Sequence, residues 1–508
     1  MNTTVLILLI LVIIYVPLWF YVWRKPSAFR NVLEKYGPTI KINSKLGLRF
    51  MDRFGRYKRF WRAFGVFSQI VSFILMIMMI YIMVVAVINL PSTFGRTKMG
   101  VEYVLAIPGL NPLLPLWYSL LGLIVAMVCH ELAHGLQSRS NDIAVQNTGL
   151  LYAVVPLGAF VEPDNDQVEK SSRRAKIDLY TAGITTNFVL AAVSFLLFST
   201  VMLGGISSPY EDNCAVYQVA VDYDPDTLPA GAIVTEVDGS PIQFDKNYYV
   251  VGSTPYTWAP GTSRTVTYQM QDGSHSKSMV WGVYIPKTVD GSPAAGLEKT
   301  WINYINYEGA DYTFYTAQGF SSFMNTTEPG HEATIHYTKE DMSTGSKTVT
   351  LGTKGSIGYL GVYTNTSGMG MVTPKVIKEM GSNPLYGADS ILNAGTAMLS
   401  YIAQPLRGFD PLPESIQWWY GDQGDGFWIL AHALYWIFWL NLMLGITNAL
   451  PAFPFDGGYT FLGWMDALYE KLGVKDPEAR RKKAEELTKN VSSLMLFMFM
   501  LVIIAAII

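Results

Sequence analysis

Val125-Ala126-Met127-Val128-Cys129-His130-Glu131-Leu132-Ala133-His134-Gly135 sets three ionisable side chains inside an otherwise apolar run. Ionisable groups are costly at membrane depth, so each needs a partner or a task. Residues four apart share one face of a helix, so the imidazoles of His130 and His134 can meet one zinc ion. Glu131 lies beside them and can act as a base toward water. The plainer alternative is a pair of histidines that only bridges helices. It fits poorly with a setting that disfavours accidental polar clusters.

Outward from this run, the chain has 508 residues, 50% apolar and only 15% charged. That length suggests more than one domain. Six stretches read as membrane spans: about 3–23, 65–90, 115–138, 178–204, 426–450 and 490–508. The first has no basic leader and no cleavage site. Arg24 and Lys25 follow it as a stop-transfer flank, so it reads as retained. Segment 24–63 carries twelve Lys and Arg against Glu34 and Asp52, and segments 139–176 and 465–489 are also basic. The positive-inside rule makes all three cytoplasmic. Both termini and region 205–425 then lie outside, in a cell membrane. Asn325-Thr326-Thr327 and Asn365-Thr366-Ser367 in that region are weak glycosylation signals. The net charge of −3 gives no reason to expect nucleic acid as a partner. Cys129 and Cys214 are too few for a disulfide framework and read as packing residues.

The outer region begins acidic, with Asp222, Asp224, Asp226, Glu236 and Asp238, and then reads as two copies of a β-rich module. Each has a short apolar strand ending in a glycine turn, a gap, Pro-Gly, and a strand of period two. Ile233–Val237, Pro260-Gly261 and Thr265–Met270 mark the first copy; Trp301–Asn306, Pro329-Gly330 and Ala333–Tyr337 mark the second. The order resembles PDZ domains, which receive extended peptide ends. A generic β-sandwich is the alternative.

The fold class is thus a polytopic α-helical membrane protein of about six transmembrane helices, with an inserted extracytoplasmic tandem PDZ-like region. The expected divisions are 1–64 (first span and basic loop), 65–204 (first part of the membrane core) and 205–285 (first PDZ-like module). They continue with 286–364 (second module), 365–425 (linker) and 426–508 (last part of the core).

Two histidines are one ligand short of a catalytic zinc site. Asn448-Ala449-Leu450-Pro451-Ala452-Phe453-Pro454-Phe455-Asp456-Gly457-Gly458 offers the third in Asp456. Its prolines break the helix, and broken backbone at membrane depth must line a cavity or be buried in protein. The alternative for Asp456 is a plain turn residue. Nine residues separate His130 from Arg139, so the zinc would lie about 13 Å inside the cytoplasmic face. In Ala182-Gly183-Ile184-Thr185-Thr186-Asn187, Gly183 permits close packing and Asn187 can point an amide at the site, although both also serve ordinary packing. His331 and His336 are five apart in an expected strand and face opposite sides, so they carry no chemistry. His275 and His432 read as bystanders.

Together, His130-Glu131-x-x-His134-Gly135, Gly183-x-x-x-Asn187 and Asn448-x-x-Pro451-x-x-Pro454-x-Asp456-Gly457-Gly458 resemble the site-2 protease family of intramembrane zinc metalloproteases. Ile184 stands where that family usually has proline. The resemblance implies that His130, His134 and Asp456 hold Zn2+ and that Glu131 activates water. It implies that Asn187 and Asn448 hold the substrate. Gly149–Glu162 is similar to the family's membrane-dipping β-hairpin, whose edge could pair with an unwound substrate. The implied partners are membrane-anchored, single-span proteins already trimmed outside, the lipid bilayer, and peptide ligands of the PDZ-like modules. The modules would exclude untrimmed ectodomains, and loss of 213–364 would lift that exclusion. Two other classes compete: a non-proteolytic membrane receptor using the PDZ-like modules, and a transporter with broken helices. The chain shows no repeated half, which counts against a transporter.

Overall fold

The computed structural model describes residues 3–25, 32–93, 108, 111–153, 155–219, 227–244, 250–251 and 259–507. Val154 of the hairpin stretch and Asp222, Asp224 and Asp226 lie outside the described residues. The chain forms two compact units: Met1–Phe198 with Leu406–Gly408 and Ile429–Ile508, and Ser199–Pro405 with Phe409–Trp428.

The first unit is helical and apolar. Its helices are α1 (Thr3–Arg24), α2 (Leu48–Gly55), α3 (Lys58–Thr93), α4 (Leu116–Ser140), α5 (Arg173–Leu196), α6 (Asp425–Asn448), α7 (Asp456–Lys471) and α8 (Pro477–Ile507). Among the described residues, five helices are long and apolar enough to cross a membrane: Lys58–Leu90, Leu116–Ser140, Arg173–Leu203, Asp425–Asn448 and Pro477–Ala505. They correspond to the second through sixth expected spans. The first expected span, 3–23, coincides with the helix α1, Thr3–Arg24. The protein is therefore a membrane protein with an inserted β-rich region.

Local sequence sets the helix limits. Ser172 caps α5 by accepting from the Ala175 amide at 3.2 Å, satisfying one orphan donor of the first turn. Between α6 and α7, Pro451 and Pro454 occupy a seven-residue stretch that is not helical, and the chain resumes a helix at Asp456. Small residues let the helices approach. A Cβ on Gly122 of α4 would lie 2.8 Å from the Trp436 carbonyl of α6, and one on Gly445 of α6 would lie 3.3 Å from the Ile184 carbonyl of α5.

A four-stranded antiparallel sheet joins this unit. It runs β1 (Leu33–Tyr36), β2 (Thr39–Ser44), β3 (Val145–Ala153), β4 (Val155–Pro163). The expected hairpin is β3–β4, with Gly149 opposite Phe160. β1 and β2 were read from the sequence as loop. They pair because Ile40 and Ile42 find an apolar cover in α1, where the Tyr15 hydroxyl donates to the Pro38 carbonyl at 2.6 Å.

The second unit is built on one large antiparallel sheet. Its strands are β5 (Cys214–Val219), β6 (Ile233–Val237), β7 (Thr262–Met270), β8 (Gly273–Trp281) and β9 (Val283–Thr288), then β10 (Thr300–Tyr307), β11 (Glu332–Lys339), β12 (Thr344–Thr350), β13 (Val362–Thr366) and β14 (Met369–Val372). They are ordered β8-β7-β6-β5-β14-β13-β9-β10-β11-β12. Two apolar cores lie along it. One gathers Cys214, Val234, Trp281 and Met371; the other gathers Val283, Ile302, Phe320 and Leu360. The first of these cores includes β14, which lies in the segment expected as a linker. That segment also carries helices Pro374–Ser382 and Ile391–Ala403.

Candidate metal centre

His130 and His134 lie on one face of α4, both under a tenth exposed. The break before α7 delivers Asp456 to them. Its Oδ2 lies 2.9 Å from His130 Nε2 and 3.2 Å from His134 Nε2. Ligand atoms of all three residues fall within 4.8 Å of one another, the metal-competent cluster among the described residues. Three donors at zinc-ligand distance in tetrahedral array lie about 3.4 Å apart, so the observed spacings fit one zinc.

Two further observations support that fit. Asp456 Oδ2 is buried with no hydrogen-bond donor, an orphan that a cation would satisfy. Gly183 of α5 faces the imidazoles, where a Cβ would lie 2.5 Å from His134 Nε2 and 2.7 Å from His130 Nε2. The space for the ligands exists because that position has no side chain. Gly457 and Gly458 act similarly one step away, since a Cβ on either would overlap backbone of Ala449–Phe453.

Partners behind the imidazoles set their tautomers. His134 Nδ1 lies 2.8 Å from the Leu179 carbonyl, so it carries the proton and leaves Nε2 as a free lone pair. His130 Nδ1 lies 3.3 Å from Asn187 Nδ2, while Asn187 Oδ1 is buried without a partner. Turning that amide over lets Oδ1 accept from His130 Nδ1–H and frees Nε2 toward the metal. Glu131 is held differently. Its Oε2 accepts the backbone N–H of Val161 on β4 at 2.9 Å.

The structure thus brings together His130, Glu131, His134, Asn187 and Asp456. Asn187 arrives as the partner of His130. Asn448 donates its amide to the Leu444 carbonyl one turn earlier, at 3.1 Å, and makes no described contact with the cluster. Of the other histidines, His275 pairs with Asp272, His331, which lies just before β11 rather than in a strand, pairs with Glu308, and His336 and His432 stack on Tyr304 and Tyr118. Sequence reasoning missed the Leu179 carbonyl and the Val161 amide, because backbone groups leave no mark on residue identity. It also missed Tyr180, which stacks on Tyr459 at 4.6 Å. Their positions, just after Leu179 and three past Asp456, were the available signal.

A His-Glu-x-x-His membrane helix set against an aspartate at a helix break defines a membrane-embedded metallopeptidase type of centre. Residues 118–503 match the model of Peptidase family M50, and the chain belongs to this family, the site-2 protease family. Its members are zinc metalloproteases. Over 202 residues the chain is 29% identical to "Uncharacterized protein MJ0971" of Methanocaldococcus jannaschii. That match covers 39% of this chain and 52% of the relative, so the chain spans about half the length of that protein.

Proposed function

We propose that the protein is a zinc endopeptidase that hydrolyses peptide bonds within or near the transmembrane segments of single-span membrane proteins, after a first extracytoplasmic cut. The observation that carries this reading is the convergence of His130 Nε2, His134 Nε2 and Asp456 Oδ2 beside the Glu131 carboxylate. His130, His134 and Asp456 would hold the ion. Bound zinc would supply Lewis-acid polarisation of the scissile carbonyl.

The chain's own groups do the rest. Glu131, fixed through Oε2 by Val161, takes the proton of the attacking water and passes it to the leaving amine. Peptide bonds inside a helix are shielded, so the substrate must be extended before attack. β4 is an edge strand, and its Val161 N–H points away from β3 toward Glu131. An extended substrate paired along that edge would lie one hydrogen bond from the base. Asn187 and Asn448 would steady the substrate backbone, Asn448 by giving up the Leu444 carbonyl. The basic segments are cytoplasmic in this reading, with the centre near that face of a cell membrane.

The test pairs zinc content with cleavage. Wild type and Glu131→Gln are purified in detergent, assayed for zinc by elemental analysis, and incubated with a single-span substrate. Zinc should be retained in both, with turnover lowered about 10²- to 10⁴-fold in the variant. Near-zero zinc in metal-replete wild type would instead favour a peptide receptor built on the β-rich unit.

A further inference from the structure

The stretch from Arg49 to Arg62 interleaves basic and aromatic residues: Arg49-Phe50, Arg53-Phe54, Arg56-Tyr57, Arg59-Phe60. It forms α2 and the first turns of α3. One face of α2 is pinned to α4. Met51 is 1% exposed, a Cβ on Gly135 would overlap its sulfur, and a Cβ on Gly55 would overlap Arg139. That anchoring turns the other face outward.

The outward face is cationic and apolar at once. Arg49, Arg53, Arg56, Arg59 and Arg62 are exposed, and none has a carboxylate partner among the described residues. The one acid of the stretch, Asp52, is taken by Arg139 at 2.8 Å, and Lys58 by Asp142 at 2.6 Å. Phe50, Phe54, Tyr57 and Phe60 are 40–60% exposed between them.

We propose that this face is a docking surface for anionic phospholipid headgroups. Five guanidinium groups without a carboxylate partner, Arg56 stacked on Tyr57, match phosphate oxygens in charge and in fork geometry. The interleaved rings suit the boundary between headgroups and acyl chains. Continuity decides the occupant: α3 runs from this patch directly into a membrane-crossing helix, Lys58–Leu90, so a headgroup layer is its standing neighbour. Basic-aromatic surfaces also bind single-stranded nucleic acid. Here that class is an outcome of the test.

Trp61 is the reporter, its indole N–H bound to the Phe54 carbonyl at 2.9 Å beside the patch. The full chain in mixed micelles is titrated with brominated phosphatidylglycerol and brominated phosphatidylcholine. Quenching that is lost in Trp61→Phe is assigned to this site. Each cation facing an anionic headgroup surface is worth about fivefold. Wild type should prefer phosphatidylglycerol by roughly tenfold or more, and the preference should shrink as salt rises. In Arg49→Gln/Arg53→Gln/Arg56→Gln, with Arg59 and Arg62 left in place, the preference should fall at least about fivefold, while the matching triple lysine variant keeps it. Equal quenching by both lipids in wild type overturns the proposal, as does a preference insensitive to salt or kept in the glutamine variant. An oligouridylate that binds through these arginines without any lipid preference overturns it in favour of nucleic acid. Should the glutamine variant fail to fold, the lysine variant and the salt series still decide.

Discussion

Gly183 contributes to the centre by lacking a side chain. Both imidazole Nε2 atoms lie within bonding reach of where its Cβ would be, and neither is a flexible tip free to withdraw. Gly183→Ala should therefore lower bound zinc at least tenfold, read by elemental analysis, while the helical signal is kept. Asn187 is the second residue to examine. As the partner of His130 Nδ1 it should cost about 10- to 100-fold in zinc affinity when changed to alanine, measured by competition with a chelator. A loss of turnover with zinc affinity unchanged would instead mean that Asn187 acts on the substrate. The His130–His134–Asp456 cluster was legible in residue identities because ionisable groups in apolar runs are rare. The tautomer-setting carbonyl of Leu179 was not, since any residue there presents the same oxygen.

At the scale of elements, β4 acts through its backbone. The Val161 N–H faces Glu131, so a proline at 161 removes that one donor and leaves the β3 ladder intact. Val161→Pro should keep zinc and lower turnover about tenfold, less than Glu131→Gln does. Equal activity would show that the carboxylate needs no holding. The hairpin was legible only through the likeness of Gly149–Glu162 to the family's hairpin. Its extension to four strands was not, because β1 and β2 are short, charged and stabilised by α1, a partner distant in sequence. The long helices were the easiest elements to read, since a charge-free run of more than twenty residues has few other uses.

The chain divides within the fourth expected span, at Phe198 and Ser199, and again within the fifth, at Trp428 and Ile429. Within the β-rich unit the strands around Ile233–Val237, Thr265–Met270, Trp301–Asn306 and Ala333–Tyr337 were legible from strand and turn spacing. The return of β14 to the first core was not, because a four-residue strand beside a helix start has no distinctive period. The size-exclusion idea belongs at this scale. Removing residues 213–373, which takes the whole sheet β5–β14, should allow substrates with untrimmed ectodomains to be cut, seen on a gel against trimmed controls. Unchanged selectivity would remove that role from the unit. The split origin of the ligands has a consequence for synthesis. His130 and His134 leave the ribosome long before Asp456, and the entire β-rich unit is made in between. A nascent chain carries only a two-histidine half-site, which has no third anchor for zinc. If that half-site cannot hold the ion, the centre is completed only after the β-rich unit has been translated.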